Sequence, residues 1–101
     1  MESRISIEGT VATIAVSGSV NTNTAPQFEK AVSEAFSNPD ITSIAFDFSN
    51  LEYISSAGLR VLMVAYKQVM ARGGELRVEG SSDEVMEVFE ITGIADLLGL
   101  E

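Results

Sequence analysis

The chain has 101 residues, enough for one small domain with a single hydrophobic core. It contains no cysteine and no histidine, which excludes disulfides, thiolate metal sites and a Ser-His-Asp nucleophile within the chain. Fifteen acidic and six basic residues give a formal charge of −9 at pH 7, and such a surface repels phosphate backbones, so we expect no nucleic-acid partner.

The N-terminal residues show no targeting signal. Residues 1–4 have neither a basic nor an apolar region of the kind that opens a signal peptide. The longest dense apolar stretch, residues 61–66, is far shorter than the roughly 20 residues that cross a bilayer. We therefore expect a cytoplasmic protein with no membrane partner, and one domain over residues 1–101.

Two short strands are predicted first. Ile5 and Ile7 alternate with polar residues, and residues 11–16 alternate again after Gly9 and Thr10. The tight Gly-X turn between them predicts a hairpin, with Gly18 closing the second strand.

An amphipathic helix follows the hairpin. Thr24 and Gln27 have the spacing of a capping box, and Pro26 would lie in the first helical turn. Asn38-Pro39 predicts its end. Its apolar face recurs at helical spacing and comprises Phe28, Ala31, Val32, Ala35 and Phe36.

A third strand of about six residues and a second helix come next. Ile44, Phe46 and Phe48 alternate with less apolar residues, and residues 51–54 are predicted to form a loop. Residues 57–72 are helical in pattern and apolar nearly all round, which is typical of a central helix, and Gly73-Gly74 predicts its end.

The last elements are a fourth strand and two helices. Leu76 and Val78 mark the strand, and Ser81 with Glu84 offers a second capping box. The apolar residues of the two helices, which Gly93 separates, are Val85, Val88 and Phe89, then Ile94, Leu97 and Leu98. The order β-β-α-β-α-β-α-α predicts an α/β fold, a four-stranded mixed sheet with packed amphipathic helices, because strand-helix-strand units pair in parallel.

Two serines stand where the second helix begins. Ser55 and Ser56 precede the small residues Ala57 and Gly58, and a helical glycine is accepted where another group approaches closely. A helix N-terminus favours an anion, and a phosphoryl group on Ser56 would add about −1.5 to −2 charge there, with Arg60 one turn away. The residues alone leave open that either serine is only an N-cap. The roles of N-cap and phosphate acceptor are compatible if Ser55 caps the helix and Ser56 is exposed. We expect this arrangement.

Four segments in order resemble one known family. They are residues 18–25, residues 47–62, Gly73-Gly74-Glu75-Leu76 and residues 89–94, and the second is the most specific. Over essentially its whole length the chain resembles the STAS domain, named for sulfate transporters and anti-sigma factor antagonists. In its short, free-standing form the chain is similar to the anti-anti-sigma factors of this family.

This resemblance implies a partner-switching cycle. The dephosphorylated protein would bind a serine-kinase anti-sigma factor and free a sigma factor, phosphorylation would abolish that binding, and a serine phosphatase would reset the cycle. The family's acceptor falls on Ser56, with Ser55 as the alternative. The implied partner surface comprises Asn21, Thr22, Ser55, Ser56, Ala57, Gly58 and Arg60.

The chain departs from the family pattern at two positions. The family commonly has Asp where this chain has Ser55 and Asn21, so two carboxylates are absent from the site. A constitutive adaptor in a transporter or stress-signalling complex, with serines that only cap, is therefore the alternative function. We expect no enzyme activity, because the chain lacks histidine and cysteine, and no cofactor. We also expect no metal site, since Asp83, Glu84, Glu87 and Glu90 have the spacing of a solvated helix face.

Overall fold

The computed structural model describes residues 1–99. The strands are β1 (Glu2–Glu8), β2 (Val11–Val20), β3 (Ser43–Ile54) and β4 (Leu76–Glu79). The helices are α1 (Ala25–Phe36), α2 (Ser56–Ala71), α3 (Asp83–Ile91) and α4 (Ile94–Leu98). No helix within residues 1–99 has both the length and the apolar composition needed to cross a membrane.

The strands form one mixed sheet in the order β1-β2-β3-β4. β1 pairs with β2 in antiparallel fashion, and β2, β3 and β4 pair in parallel. The predicted α/β fold with a four-stranded mixed sheet is confirmed.

The helices cover one face of this sheet. The crossovers from β2 to β3 and from β3 to β4 run in the same direction, so right-handed connections place α1 and α2 on the same side. The ring of Phe28 in α1 lies 5.5 Å from that of Phe46, and the ring of Phe89 in α3 lies 6.4 Å from that of Phe48. The core therefore lies between this face and the helices, as the sequence pattern predicts.

The other face of the sheet is turned away from the helices. Register places Ser6 beside Thr13, and Ala15 beside Asp47, on the side opposite the buried alternation of β2. This face carries small and polar side chains, as is usual for a sheet packed on one side only.

Two strands are longer than predicted. β2 continues past Gly18 to Val20, and β3 continues through the predicted loop to Ile54. Between Asp47 and Tyr53 the pairing with β2 shifts twice, each time by one extra residue in β3. These β-bulges break the alternation on which the sequence prediction depended, so the prediction ended the strand too early.

Two predictions about the helices were also wrong. α2 is not a central helix, because one side faces solvent and Val64 is 46% exposed. Ser82, not Ser81, caps α3, since its Oγ accepts the N–H of Val85 at 3.2 Å. The predicted apolar face of α1 is confirmed, because all five of its residues are buried.

Candidate functional site

The segments that follow β2 and β3 lie side by side. Val20 and Ile54 are register partners at the carboxyl ends of these parallel strands. The N–H of Ser55 donates to the carbonyl oxygen of Val20 at 2.7 Å. The loop that begins at Asn21 and the start of α2 are therefore held together at one end of the sheet.

Hydrogen bonds close the loop between β2 and α1. Asn21 Oδ1 accepts the N–H groups of Asn23 and Thr24 at 2.9 and 3.0 Å. Thr24 Oγ1 accepts the N–H of Asn21 at 2.8 Å and donates to the carbonyl oxygen of Ser19 at 2.9 Å. Thr24 is the N-cap residue, yet its side chain makes no cap hydrogen bond, so the predicted capping box with Gln27 is wrong. Thr22 lies exposed at the tip of the loop.

The two serines at the start of α2 differ in environment. Ser55 is the N-cap, in extended conformation, and its Oγ accepts the N–H of Gly58 at 3.3 Å. It is 8% exposed, whereas Ser56, the first helical residue, is exposed. The predicted placement of both serines is thereby confirmed, while their functional roles stay predictions.

Gly58 lets α2 begin close to the strand ends. A Cβ atom at this position would lie 2.7 Å from Cγ1 of Ile54 and 2.7 Å from Cγ1 of Val20. Real Cβ atoms do not approach carbon this closely. The close approach that the sequence suggested for Gly58 is therefore made by the chain's own strand ends.

A groove between α1 and α2 begins beside the serines. Thr22, Ala25, Pro26 and Glu29 line one wall, and Ala57, Arg60, Val61 and Val64 line the other. The helix N-terminus adds positive partial charge at this end of the molecule. The predicted residues Thr22, Ala57 and Arg60 thus meet at the groove. Gly58 and Ser55 are buried, and Asn21 and Ser56 are not among the residues that line it.

Sequence reasoning did not identify the other groove residues. The sequence predicts only that Pro26 lies in the first turn of a helix and that Val61 and Val64 belong to an apolar helix, and it singles out no role for Glu29. A signal was present in the spacing, because Ser56, Arg60 and Val64 occur at i, i+4 and i+8 on one helix face.

Comparison with known proteins decides the family. The model of the STAS domain matches residues 3–101. The chain belongs to the STAS domain family.

Relatives of this STAS domain are regulatory proteins. It is 32% identical over 88 residues to an anti-sigma-B factor antagonist of Listeria monocytogenes, covering 87% of this chain and 76% of the relative. It is 31% identical over 86 residues to the anti-sigma-B factor antagonist of Bacillus subtilis, covering 84% and 76%. Both relatives are named as antagonists of an anti-sigma factor, and neither name describes an enzyme.

Solved structures share its fold. The anti-sigma factor antagonist SpoIIAA in its unphosphorylated form superposes with a TM-score of 0.83 at 19% identity, covering 94% of this chain and 84% of SpoIIAA. The phosphorylated form of the Bacillus cell fate determinant SpoIIAA gives 0.75 at 18% identity, covering 94% and 86%.

Proposed function

We propose that this STAS domain is an anti-sigma factor antagonist whose binding is switched by phosphorylation of Ser56. The unphosphorylated chain binds an anti-sigma factor with serine-kinase activity, and a sigma factor is released in the cytoplasm. The kinase transfers the γ-phosphoryl group of ATP to Ser56 Oγ, the hydroxyl proton is taken up by a base, and ADP leaves. The phosphorylated chain dissociates, and a serine phosphatase hydrolyses the phosphate ester.

One observation carries this proposal: of the two adjacent serines, Ser56 is the accessible one. Ser55 is buried and its Oγ is engaged with the N–H of Gly58. Ser56 lies exposed in the first turn of α2, beside the loop that holds Asn21 and Thr22. A kinase can reach its hydroxyl without opening the helix cap.

The location of Ser56 also favours a switch that leaves the fold intact. A phosphoryl group there carries about −1.5 to −2 charge and lies at the positive end of the α2 dipole, which stabilises it. The added charge and bulk therefore change the surface offered to a partner and do not unfold the helix.

The two departures from the family's acidic pattern keep the local hydrogen bonds. Asn21 Oδ1 accepts two backbone N–H groups and Ser55 Oγ accepts one, which are roles that a carboxylate oxygen also fills. What the site loses is two negative charges. Fewer negative charges beside Ser56 make a phosphoryl group easier to accept.

The first test is phosphorylation by the cognate kinase with ATP, followed by mass spectrometry. We expect one phosphoryl group on wild type, one on Ser55→Ala and none on Ser56→Ala. The Ser55→Ala variant is the matched control, because it removes the neighbouring hydroxyl and leaves the acceptor. Full phosphorylation of Ser56→Ala, with none at Ser56 in wild type, would overturn the assignment.

A constitutive adaptor is the second candidate, because the site lacks the two carboxylates that could orient the acceptor hydroxyl or help it fit a kinase. Affinity for the anti-sigma factor separates the two functions. Under our proposal the phosphorylated chain, and to a smaller extent Ser56→Asp, bind more weakly than wild type. Equal affinities of the phosphorylated and unphosphorylated chains would favour the adaptor.

A further inference from the structure

Arg60 lies between the groove and the proposed phosphorylation site. We infer that its guanidinium is shared between two anions: a carboxylate on a partner segment seated in the groove, and the phosphoryl group on Ser56 once it is present. This inference rests on the proposed function and names the contact through which phosphorylation releases the partner.

The walls of the groove suit an apolar segment that has a carboxylate beside Arg60. Pro26 and Val64 offer exposed apolar surface, and Val64 is 46% exposed although it lies on a helix with a buried face, whereas Val61 lines the groove but is 5% exposed. The charged groups that line the groove are Glu29 on the α1 wall and Arg60 on the α2 wall. A partner carboxylate therefore belongs beside Arg60, because Glu29 repels a second acid on its own side.

The guanidinium is available for such a contact. Arg60 is exposed, and within residues 1–99 no carboxylate oxygen lies within 4.0 Å of it, the one ion pair found there being Arg77 with Glu79. Arginine binds a carboxylate or a phosphate through two parallel N–H groups, which makes it suited to both anions.

The spacing also brings Arg60 within reach of a phosphoryl group on Ser56. Residues four apart on a helix have Cβ atoms about 5–6 Å apart, and helical side chains lean toward the N-terminus, which here means toward Ser56. An anion one turn N-terminal to a cation is the favourable orientation. A phosphoryl group therefore attracts Arg60 out of the groove and at the same time repels the partner's carboxylate.

The affinity test treats phosphorylation and the loss of Arg60 as two changes in a double-mutant cycle. Wild type and Arg60→Gln are each prepared unmodified and with phosphoserine placed at position 56 during translation, and the Kd for the anti-sigma factor is measured by calorimetry. Loss of a rim ion pair should weaken the unmodified chain by roughly three- to tenfold. The two phosphorylated chains should agree within about twofold, because Arg60 no longer serves the partner in either.

Two further variants control for charge and folding. Lys67→Gln removes an equal charge from an exposed position of the same helix and should leave the Kd within about twofold of wild type. Arg60→Lys keeps the positive charge but lacks the planar guanidinium group, so its Kd should lie between those of wild type and Arg60→Gln. Circular dichroism confirms that each chain is folded.

A second readout needs no partner. The phosphoserine at position 56 is titrated by ³¹P NMR, and pairing with Arg60 should hold its second pKa below that in Arg60→Gln by roughly 0.3 pH unit, the size expected of an exposed helical ion pair. Lys67→Gln should titrate as wild type does. A titration that is the same in Arg60→Gln overturns the pairing.

The outcomes separate this inference from the proposed function. If phosphorylation weakens binding by the same factor in wild type and in Arg60→Gln, the switch stands and the shared role of Arg60 is overturned. If phosphoserine at position 56 leaves wild-type affinity unchanged, the proposed function fails, and the ³¹P titration still decides whether Arg60 pairs with the phosphate.

Discussion

Ser49 stabilises the ionised form of Asp47 at the first bulge of β3. Asp47 Oδ1 accepts the Ser49 hydroxyl at 2.6 Å and the Ser49 N–H at 3.0 Å. The hydroxyl and then the N–H lower the pKa of the Asp47 carboxyl, against a small opposing effect of burial. We expect Ser49→Ala to raise that pKa toward the ordinary value of about 3.9, measured by carbon NMR of the carboxyl during a pH titration.

The same pair has a consequence for stability at low pH. The pKa of Asp47 is lower in the folded chain than in the unfolded one, so its contribution is complete above the unfolded value of about 3.9 and is lost as the pH falls through the folded value. Asp47→Asn should therefore flatten the acid limb of the stability curve slightly. An Asp47 titration that is identical in wild type and Ser49→Ala would contradict this account.

Gly58 is the residue on which the approach of α2 to the strand ends depends. Alanine is favoured over glycine in a helix by about 1 kcal/mol, but the added methyl group overlaps Ile54 and Val20, and such overpacking costs about 1–3 kcal/mol. We expect Gly58→Ala to lower the free energy of unfolding in urea. Ser33→Ala, at an exposed position of α1, tests helix propensity without a clash and should be neutral or slightly stabilising. A Gly58→Ala variant more stable than wild type would contradict this account, because Ile54 and Val20 would then accommodate the added methyl group without cost.

Between elements, Arg72 joins the ends of α1 and α2. Its guanidinium donates to the carbonyl oxygens of Phe36 at 2.9 Å, Asn38 at 3.2 Å and Ile41 at 2.7 Å, and lies 4.8 Å from the centre of the Phe36 ring. It thereby satisfies a carbonyl group that the end of α1 leaves without a helical partner.

Arg72→Ala should lower the free energy of unfolding by roughly 1–3 kcal/mol, because it leaves these carbonyl groups without their donor. Arg72→Lys should keep less than half of this free energy of unfolding, since an ammonium group lacks the planar set of N–H donors. Arg77→Ala, whose ion pair with Glu79 is long and exposed, is the control and should change stability by less than about 0.5 kcal/mol. Equal losses for Arg72→Ala and Arg77→Ala in urea denaturation would refute the role given to Arg72.

The elements differ in how far the sequence predicts them. α1 follows from the spacing of Phe28, Val32 and Phe36, because an amphipathic helix repeats a local pattern. The second half of β3 does not follow from a local pattern. Its buried residues Leu51 and Ile54 lie where two bulges interrupt the regular alternation of a strand.

At the scale of the whole molecule, Phe48 connects the layers. Its ring lies 5.5 Å from Phe46, 6.3 Å from Phe28 and 6.4 Å from Phe89, so one side chain contacts α1, β3 and α3. Phe48→Ala should cost about 3–5 kcal/mol, a large part of the roughly 5–15 kcal/mol expected for a domain of this size. Phe48→Leu should cost less, because it fills most of the space. A thermal melt of Phe48→Ala close to that of wild type would contradict this central role.

The candidate site was predictable only in part. The positions of Ser55 and Ser56 follow from local chemistry, since an N-cap and the first helical residue are fixed by the adjacent turn. The groove depends on which side of α2 meets α1, and so on the exposure of Val64. The spacing puts Val64 on the same helix face as Ser56 and Arg60, but it does not show that this face is exposed, because the exposure results from the crossovers of the sheet.

The uncovered face of the sheet offers a place for a reporter group. Ser6 lies exposed on that face beside Thr13, seven positions along β2 from Val20, or roughly 20 Å at about 3.3 Å per residue. The chain has no cysteine, so Ser6→Cys would introduce a unique thiol for a fluorescent dye. Anisotropy of that dye would follow complex formation and release in real time, with the label far from both serines.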